Sequence, residues 1–249
     1  MKILLVDDEP RHQESAKRLL GETHDLTIVT DPDTAVAKLR PQYDEAKEAE
    51  LLCAAGFPEG FNLRDKSVSE EQRGRYWAER NKAHIASRLP FPYEVVLLDL
   101  LMPATRTAMG GVGERLVGQL MPYGYSLALY AIQQGAPRVG ILTDMNHHHH
   151  PMSAALDPLN MDRNGLVTTI GTSRFVLARE LSLTLPVLPE KACPKCGGTG
   201  DQGKFEGRNS YECYSCRGSG KESFWGKDWG KLLELLVAET SAVLASVSE

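Results

Sequence analysis

Three short apolar runs, each ending in an acidic or hydroxyl residue, constrain this chain more than any other feature. They are MKILLVDDEP at the start, VVLLDLLMP around Asp99, and VGILTD ending at Thr143 and Asp144. Runs of this length and composition read as strands buried on both faces of a parallel sheet. In open α/β sheets the C-terminal strand ends deliver side chains to one edge, where sites form. Asp7, Asp8 and Asp99 are therefore expected in one acidic pocket with Thr143 beside them. Converging carboxylates repel one another, and a hard divalent cation with oxygen ligands, such as Mg²⁺, is their natural neutraliser. A carboxylate in that setting can also act as a nucleophile toward phosphate, with the ion and a hydroxyl stabilising the transferred group. Taken singly, Asp7 or Asp8 could equally be a strand-end turn or helix cap. It is the ordered recurrence of all three segments that argues for a site.

The three segments together resemble the receiver domain of two-component response regulators, the CheY-like family. The resemblance implies that Asp7 and Asp8 hold Mg²⁺, with Asp99 and the Leu101 carbonyl as further ligands. It also implies that Asp99 accepts a phosphoryl group from a histidine kinase or phosphotransfer protein and that Thr143 contacts the phosphoryl oxygens. Met102 and Pro103 match the Met-Pro that follows the phosphoacceptor, and Phe175 falls where a switch aromatic is expected. Two departures stand out. The interval from Asp8 to Asp99 is much longer than the family's, and Ala178 occupies the place of the lysine that ends the fifth strand. Arg179 is one residue late, and strand alternation turns it to the opposite face. Lys191 or Lys227 could fold back into the gap.

The receiver order is legible along the chain. A strand near 2 to 7, a helix near 11 to 20, a strand near 25 to 30 and a helix near 32 to 39 come first. Residues 41 to 92 then intervene with two helical runs, Tyr43 to Ala55 and about Ser69 to Leu89, around a turn-rich GFPEGFNL. Ser67 and Glu70 have capping-box spacing at the second run, and Trp77, Leu89 and Cys53 are expected to be packing residues. Residues 104 to 122 read as a flexible loop; Met109 to Gly113 lacks the Lys-Ser/Thr ending of a P-loop. A helix from Pro122 to Gly135 and a fourth strand from Arg138 to Thr143 follow, then His147 to His150, read as a solvated loop in preference to a metal or pH-sensitive element. An amphipathic helix carrying Leu232, Leu233, Leu236, Val237 and Leu244 closes the fold.

The second chemical signal is Cys193-Pro194-Lys195-Cys196-Gly197-Gly198-Thr199-Gly200 with Cys213-Tyr214-Ser215-Cys216-Arg217-Gly218-Ser219-Gly220, two CxxCxGxG units. Two thiolate pairs sixteen residues apart suit one tetrahedral Zn²⁺, with glycines permitting tight backbone beneath the metal. The stretch resembles the cysteine-rich zinc modules of DnaJ-type chaperones, although no J-domain His-Pro-Asp occurs in the chain. Disulfide exchange is the rival chemistry.

A net charge of −5 argues against broad nucleic-acid or membrane binding. No bilayer-length apolar run is present. Asp7 and Asp8 come too early for a signal-peptide core, and paired CxxC thiols suit a reducing compartment, so a cytoplasmic location is expected.

The expected architecture is one α/β, doubly wound, parallel five-stranded receiver (flavodoxin-like) domain over 1–249, interrupted by a helical hairpin at 41–92 and a four-cysteine zinc module at 190–222. The expected function is that of a stand-alone response regulator in a phosphorelay, not an enzyme, acting through a protein effector and with a homodimer left open. The alternatives are a pseudo-receiver scaffold and a metal-dependent phosphohydrolase; for the latter, Leu101 stands where a general acid would be needed. The receiver resemblance also implies that Leu101 and Met145, both apolar and bulky, border the path of a hydrolytic water, so that an acyl phosphate would be long-lived.

Overall fold

The computed structural model describes residues 1–65, 67–109, 111–143, 166–179, 181–186, 192–201, 213, 216, 218–221 and 223–238. The chain divides into two units, one made of 1–39 with 93–249 and the other of 40–92.

The larger unit is built on a six-stranded sheet. Its strands are β1 (Lys2–Val6), β2 (Asp25–Val29), β3 (Val95–Asp99), β6 (Arg138–Thr143), β7 (Leu166–Ile170) and β8 (Ser173–Arg179), in the spatial order β2-β1-β3-β6-β8-β7. The first five in that order are parallel, and their centres are apolar because helices cover both faces: Ile3 to Val6, Val95 to Leu98 and Val139 to Leu142 are buried throughout. The sixth strand corrects the expected five. β7 turns through Gly171, at φ +62°, and pairs antiparallel with β8, so an edge hairpin caps the sheet. Its sequence LVTTI is only partly buried, as suits an edge strand.

Four helices frame this sheet: α1 (Pro10–Leu20), α2 (Pro32–Leu39), α6 (Tyr123–Gln133) and α7 (Trp229–Val237). Between β3 and α6 lie a two-residue ladder of β4 (Met102–Pro103) with β5 (Leu120–Met121), a short helix α5 (Arg106–Met109) and a 3₁₀ turn over Gly111–Leu116. The segment expected to be a flexible loop is therefore folded. One face of the sheet forms a core with α1 and α7 in which Ile3, Leu5, Val95, Leu97, Leu142, Val176 and Ala178 pack with Ala16, Leu20, Trp229, Leu232 and Leu236. Gly140 lets α7 lie close on β6, since a Cβ there would stand 2.9 Å from Leu236 Cδ1. Arg174 ties the end of α7 to β8 by donating to the Leu235 carbonyl at 3.0 and 3.2 Å.

α1 is unusual in what it buries. Its inward positions include His12 and Ser15 beside Ala16 and Leu20. The partner of His12 and Ser15 is a two-stranded antiparallel ribbon outside the main sheet, β9 (Ser182–Pro186) with β10 (Ser223–Lys227).

In the 40–92 unit, α3 (Glu45–Ala54) starts at the Asp44 cap and α4 (Glu70–Ala86) at a capping box of Ser69 with Gln72. The box thus uses different residues from the Ser67 and Glu70 expected, because Ser67 instead bonds to Asp65. Tyr43 and Arg88 pair across the base of the unit, and Phe57, Phe61 and Tyr76 form its aromatic cluster. Cys53, Trp77 and Leu89, expected to be packing residues, are exposed; Trp77 retains 54% of its surface and Leu89 41%.

Candidate functional site

Each carboxylate of the first group arrives by the end of a strand. β1 runs out at Val6 and continues as Asp7, whose N–H donates to the Val29 carbonyl at 3.1 Å, while Asp99 is the last residue of β3. Asp7 is fully buried and Asp99 nearly so; Asp8 is half-buried. Carboxylate oxygens of Asp7, Asp8 and Asp99 lie within 4.8 Å of one another, a spacing that one cation could bridge. Burial and then the neighbouring charge of Asp7 push the pKa of Asp8 above the ordinary aspartate range, against opposition from a backbone hydrogen bond and Lys227. Thr143 is buried at the end of β6, one step beyond Leu142, the residue paired with Asp99. α6 meets the site through Gly124, where a Cβ would stand 2.3 Å from the Asp99 carbonyl oxygen.

The side chain filling this pocket is Lys227. Its Nζ lies 2.8 Å from Asp7 Oδ2 and 2.7 Å from Asp99 Oδ1, with no solvent exposure. Of the two lysines left open by sequence, Lys191 lies outside the described residues and Lys227 makes the contact. Topology explains how a residue so far along the chain reaches the site. The chain leaves β8 at Arg179, enters β9 at Ser182, and returns along β10 so that Lys227 pairs with Ser182. The Asp228 N–H then donates to the Leu181 carbonyl at 2.8 Å. The excursion thus ends close to where it began, with Lys227 opposite Ser182 and Asp228 bonded to Leu181. Ala178 is fully buried in the apolar cluster with Trp229 and Leu232.

α1 holds Lys227 in place from the other side. Ser15 Oγ donates to the Lys227 carbonyl at 2.5 Å, the Lys227 N–H donates to His12 Nδ1 at 3.2 Å, and Trp229 Nε1 donates to the His12 carbonyl at 3.0 Å. Arg11 lies 3.9 Å over the Trp225 ring. Gly226 makes the approach possible, since a Cβ there would meet Ser15 Cβ at 2.6 Å. One sequence signal pointed here: Trp225-Gly226-Lys227 sets an aromatic just before a lysine, directly ahead of the closing helix.

Leu101 is buried between β3 and β4, and Phe175 is buried on β8, paired with Val139 and Thr168. Met145, His147, His148, His149, His150 and Leu244 lie outside the described residues.

The four cysteines form a second group with Sγ atoms within 4.8 Å of one another. Cys193 and Cys213 are 3.9 Å apart and Cys196 and Cys216 3.7 Å. Sulfurs about 2.3 Å from a tetrahedral zinc are separated by about 3.8 Å, so the set fits that ion. Gly200 and Gly220 each donate an N–H to a sulfur at 3.3 Å, the first to Cys196 and the second to Cys216. The two units are interlocked reciprocally, with Cys193 N–H donating to Gly220 and Cys213 N–H to Gly200. Only glycine fits at 200 and 220, where φ is positive and a Cβ would stand 2.2 Å from a carbonyl oxygen of the opposite unit. Burial works against the Cys196 thiolate, but the N–H groups of Gly200 and Gly198 together with hydrogen bonds to Cys216 and Cys193 outweigh it and bring the thiol down to about 6.

Fold and site together define an α/β protein with a mostly parallel six-stranded sheet, compatible with flavodoxin-like folds, and a four-cysteine centre able to hold a metal such as zinc. No protein-family model, curated protein or solved structure matches the chain. Among the described residues, no helix is long and apolar enough to cross a membrane.

Proposed function

We propose that this protein is an atypical, stand-alone response regulator with a receiver fold. In this reading Asp99 is the phosphoacceptor, and Lys227 serves as the lysine missing at position 178. The observation that carries the reading is the meeting of Asp7, Asp8 and Asp99 with the buried Lys227 ammonium at the C-terminal ends of parallel strands. Three carboxylates against one ammonium leave two negative charges, which suits a divalent cation such as Mg²⁺ held by Asp7, Asp8 and Asp99, with the Leu101 carbonyl as a further ligand. Such an ion would supply charge neutralisation for an incoming phosphate. The chain's own residues do the rest. An Asp99 oxygen bonds to phosphorus as the donor's bond to phosphorus breaks, and Lys227 turns its ammonium from Asp7 toward the new phosphoryl oxygens. Thr143 follows as a hydroxyl donor, and Phe175 on β8 serves as the switch aromatic. The donor would be a histidine kinase or phosphotransfer protein in the cytoplasm, and the output a changed contact with a protein effector.

A second reading is favoured by one specific observation. Lys227 already bridges Asp7 and Asp99, so the ammonium could act as a permanent internal cation in a scaffold that phosphorylation does not control. Incubation with Mg²⁺ and acetyl phosphate, followed by intact mass, separates the two. A phosphorylated species absent from Asp99→Asn is expected; no modification under conditions where Mg²⁺ binds would favour the scaffold.

A further inference from the structure

The strand that carries Lys227 is also the exit strand of the cysteine centre. β10 belongs to a ribbon of only two strands, and two-stranded ribbons are marginal without added support. β9 and β10 are joined through the long connection 187–222, and forming their ladder requires that connection to close, at an entropic cost that rises with its length. The four cysteines lie within it, two on each side. Next to them Ala192 pairs antiparallel with Lys221, so the chain is drawn together at the cysteine end as well as at the ribbon. Lys221 is separated from the first residue of β10 by a single position. At the far end of the same strand, Lys227 is buried with its charge against two carboxylates, a placement whose desolvation cost must be offset elsewhere.

We propose that metal bound by Cys193, Cys196, Cys213 and Cys216 seats Lys227 in the carboxylate pocket, by closing the connection and thereby holding β10 in register with β9. The cysteine centre is then a positioning device for the pocket. Metal loss loosens the β9–β10 ladder, weakens the docking of Gly226 and Lys227 on Ser15 and His12, and frees the ammonium. The sheet itself is left intact, because none of its six strands belongs to the ribbon. The effect is reciprocal: whatever holds Lys227 in its seat must tighten metal binding. This inference needs only the seat of Lys227 and stands apart from whether Asp99 accepts phosphate.

The test is a brief pulse of an amine-acylating ester on the full-length, zinc-loaded protein under reducing conditions, read by peptide mass spectrometry. Lys231, half-exposed on α7 four residues away, serves as the internal reference. With zinc bound, Lys227 should acylate far more slowly than Lys231. Chelation should raise the Lys227-to-Lys231 ratio at least about tenfold, and zinc should restore it. Cys213→Ser should behave like the chelated protein. Hydrogen exchange of the Leu5 and Leu97 amides monitors the sheet and should stay slow throughout. A ratio that stays within about twofold after measured loss of metal overturns the proposal. Opening of Leu5 and Leu97 together with Lys227 also overturns it, because the metal would then support the whole fold.

Discussion

At the scale of single residues, the buried triangle of Asp7, Asp99 and Lys227 is costly to disturb from one side. Removing one partner of a buried ionic group leaves an uncompensated charge, typically a loss of about 3–5 kcal/mol. Lys227→Met should therefore lower stability by about that amount in urea denaturation without divalent ions. Double replacement of Asp7 and Asp99 by Asn in the Lys227→Met background should recover part of the loss. Asp8 gives a second prediction with a definite sign. Its folded-state pKa is raised, so its contribution to stability is complete below the unfolded aspartate value of 3.8 and is lost as pH rises through the folded value. At neutral pH without divalent ions, the ionised Asp8 is thus a burden. Asp8→Asn should raise Tm by no more than about 2 °C in a thermal melt, since a half-buried carboxylate is partly screened, and the gain should vanish at about pH 3.

Among the elements, the ribbon decides the geometry of the site. Gly226→Ala sets a methyl group against Ser15 Cβ, where only 2.6 Å is available, and the contact involves helix backbone that cannot simply swing aside. Overpacking of this kind costs about 1–3 kcal/mol, and it should also displace Lys227, visible as faster acylation of that residue. Gly124→Ala should cost a similar amount by pushing α6 off the Asp99 carbonyl, with Lys227 less affected because the added methyl meets Asp99 and Leu100 backbone and not the ribbon. These contacts mark the boundary of what the sequence could convey. Strands such as VVLLD and RVGILT are buried on both faces, so their apolar character is continuous and their ends are marked by Asp99 and Thr143. β7 carries no such signal, since LVTTI on an antiparallel edge is half solvated and is joined to β8 by a turn that could equally connect other elements. Lys227 was legible only as one of two candidates, because a pairing between distant strands is fixed by ladder register, Ser182 opposite Lys227, and not by any local pattern. The CxxCxGxG units were fully legible, as both the ligands and the glycines that let them interlock are local in sequence.

For the whole molecule, the division into two units separates the chemistry from the helical segment. Asp7, Asp8, Asp99, Thr143, Lys227 and all four cysteines belong to the unit of 1–39 with 93–249, and the 40–92 unit contributes none of them. That unit has its own aromatic cluster, its own helix caps, and a bridge of Tyr43 with Arg88 near the two points where the chain enters and leaves. A segment inserted with its ends paired can be removed with little change to the backbone that flanks it, and long surface insertions weigh little on the stability of their host. Replacing residues 41–91 with a short Gly/Ser linker should therefore leave the sheet cooperative in denaturant. On the proposed phosphoacceptor reading, the rate of Asp99 modification by acetyl phosphate and Mg²⁺ should stay within about threefold of the full chain, since less than about 1 kcal/mol of barrier change is expected from a segment that contributes none of the site residues. The measurement is intact mass against time for both proteins, with Asp99→Asn as the blank. Loss of modification in a linker variant that still folds and still protects Lys227 would mean that the helical unit, and not the pocket alone, sets the reactivity of Asp99.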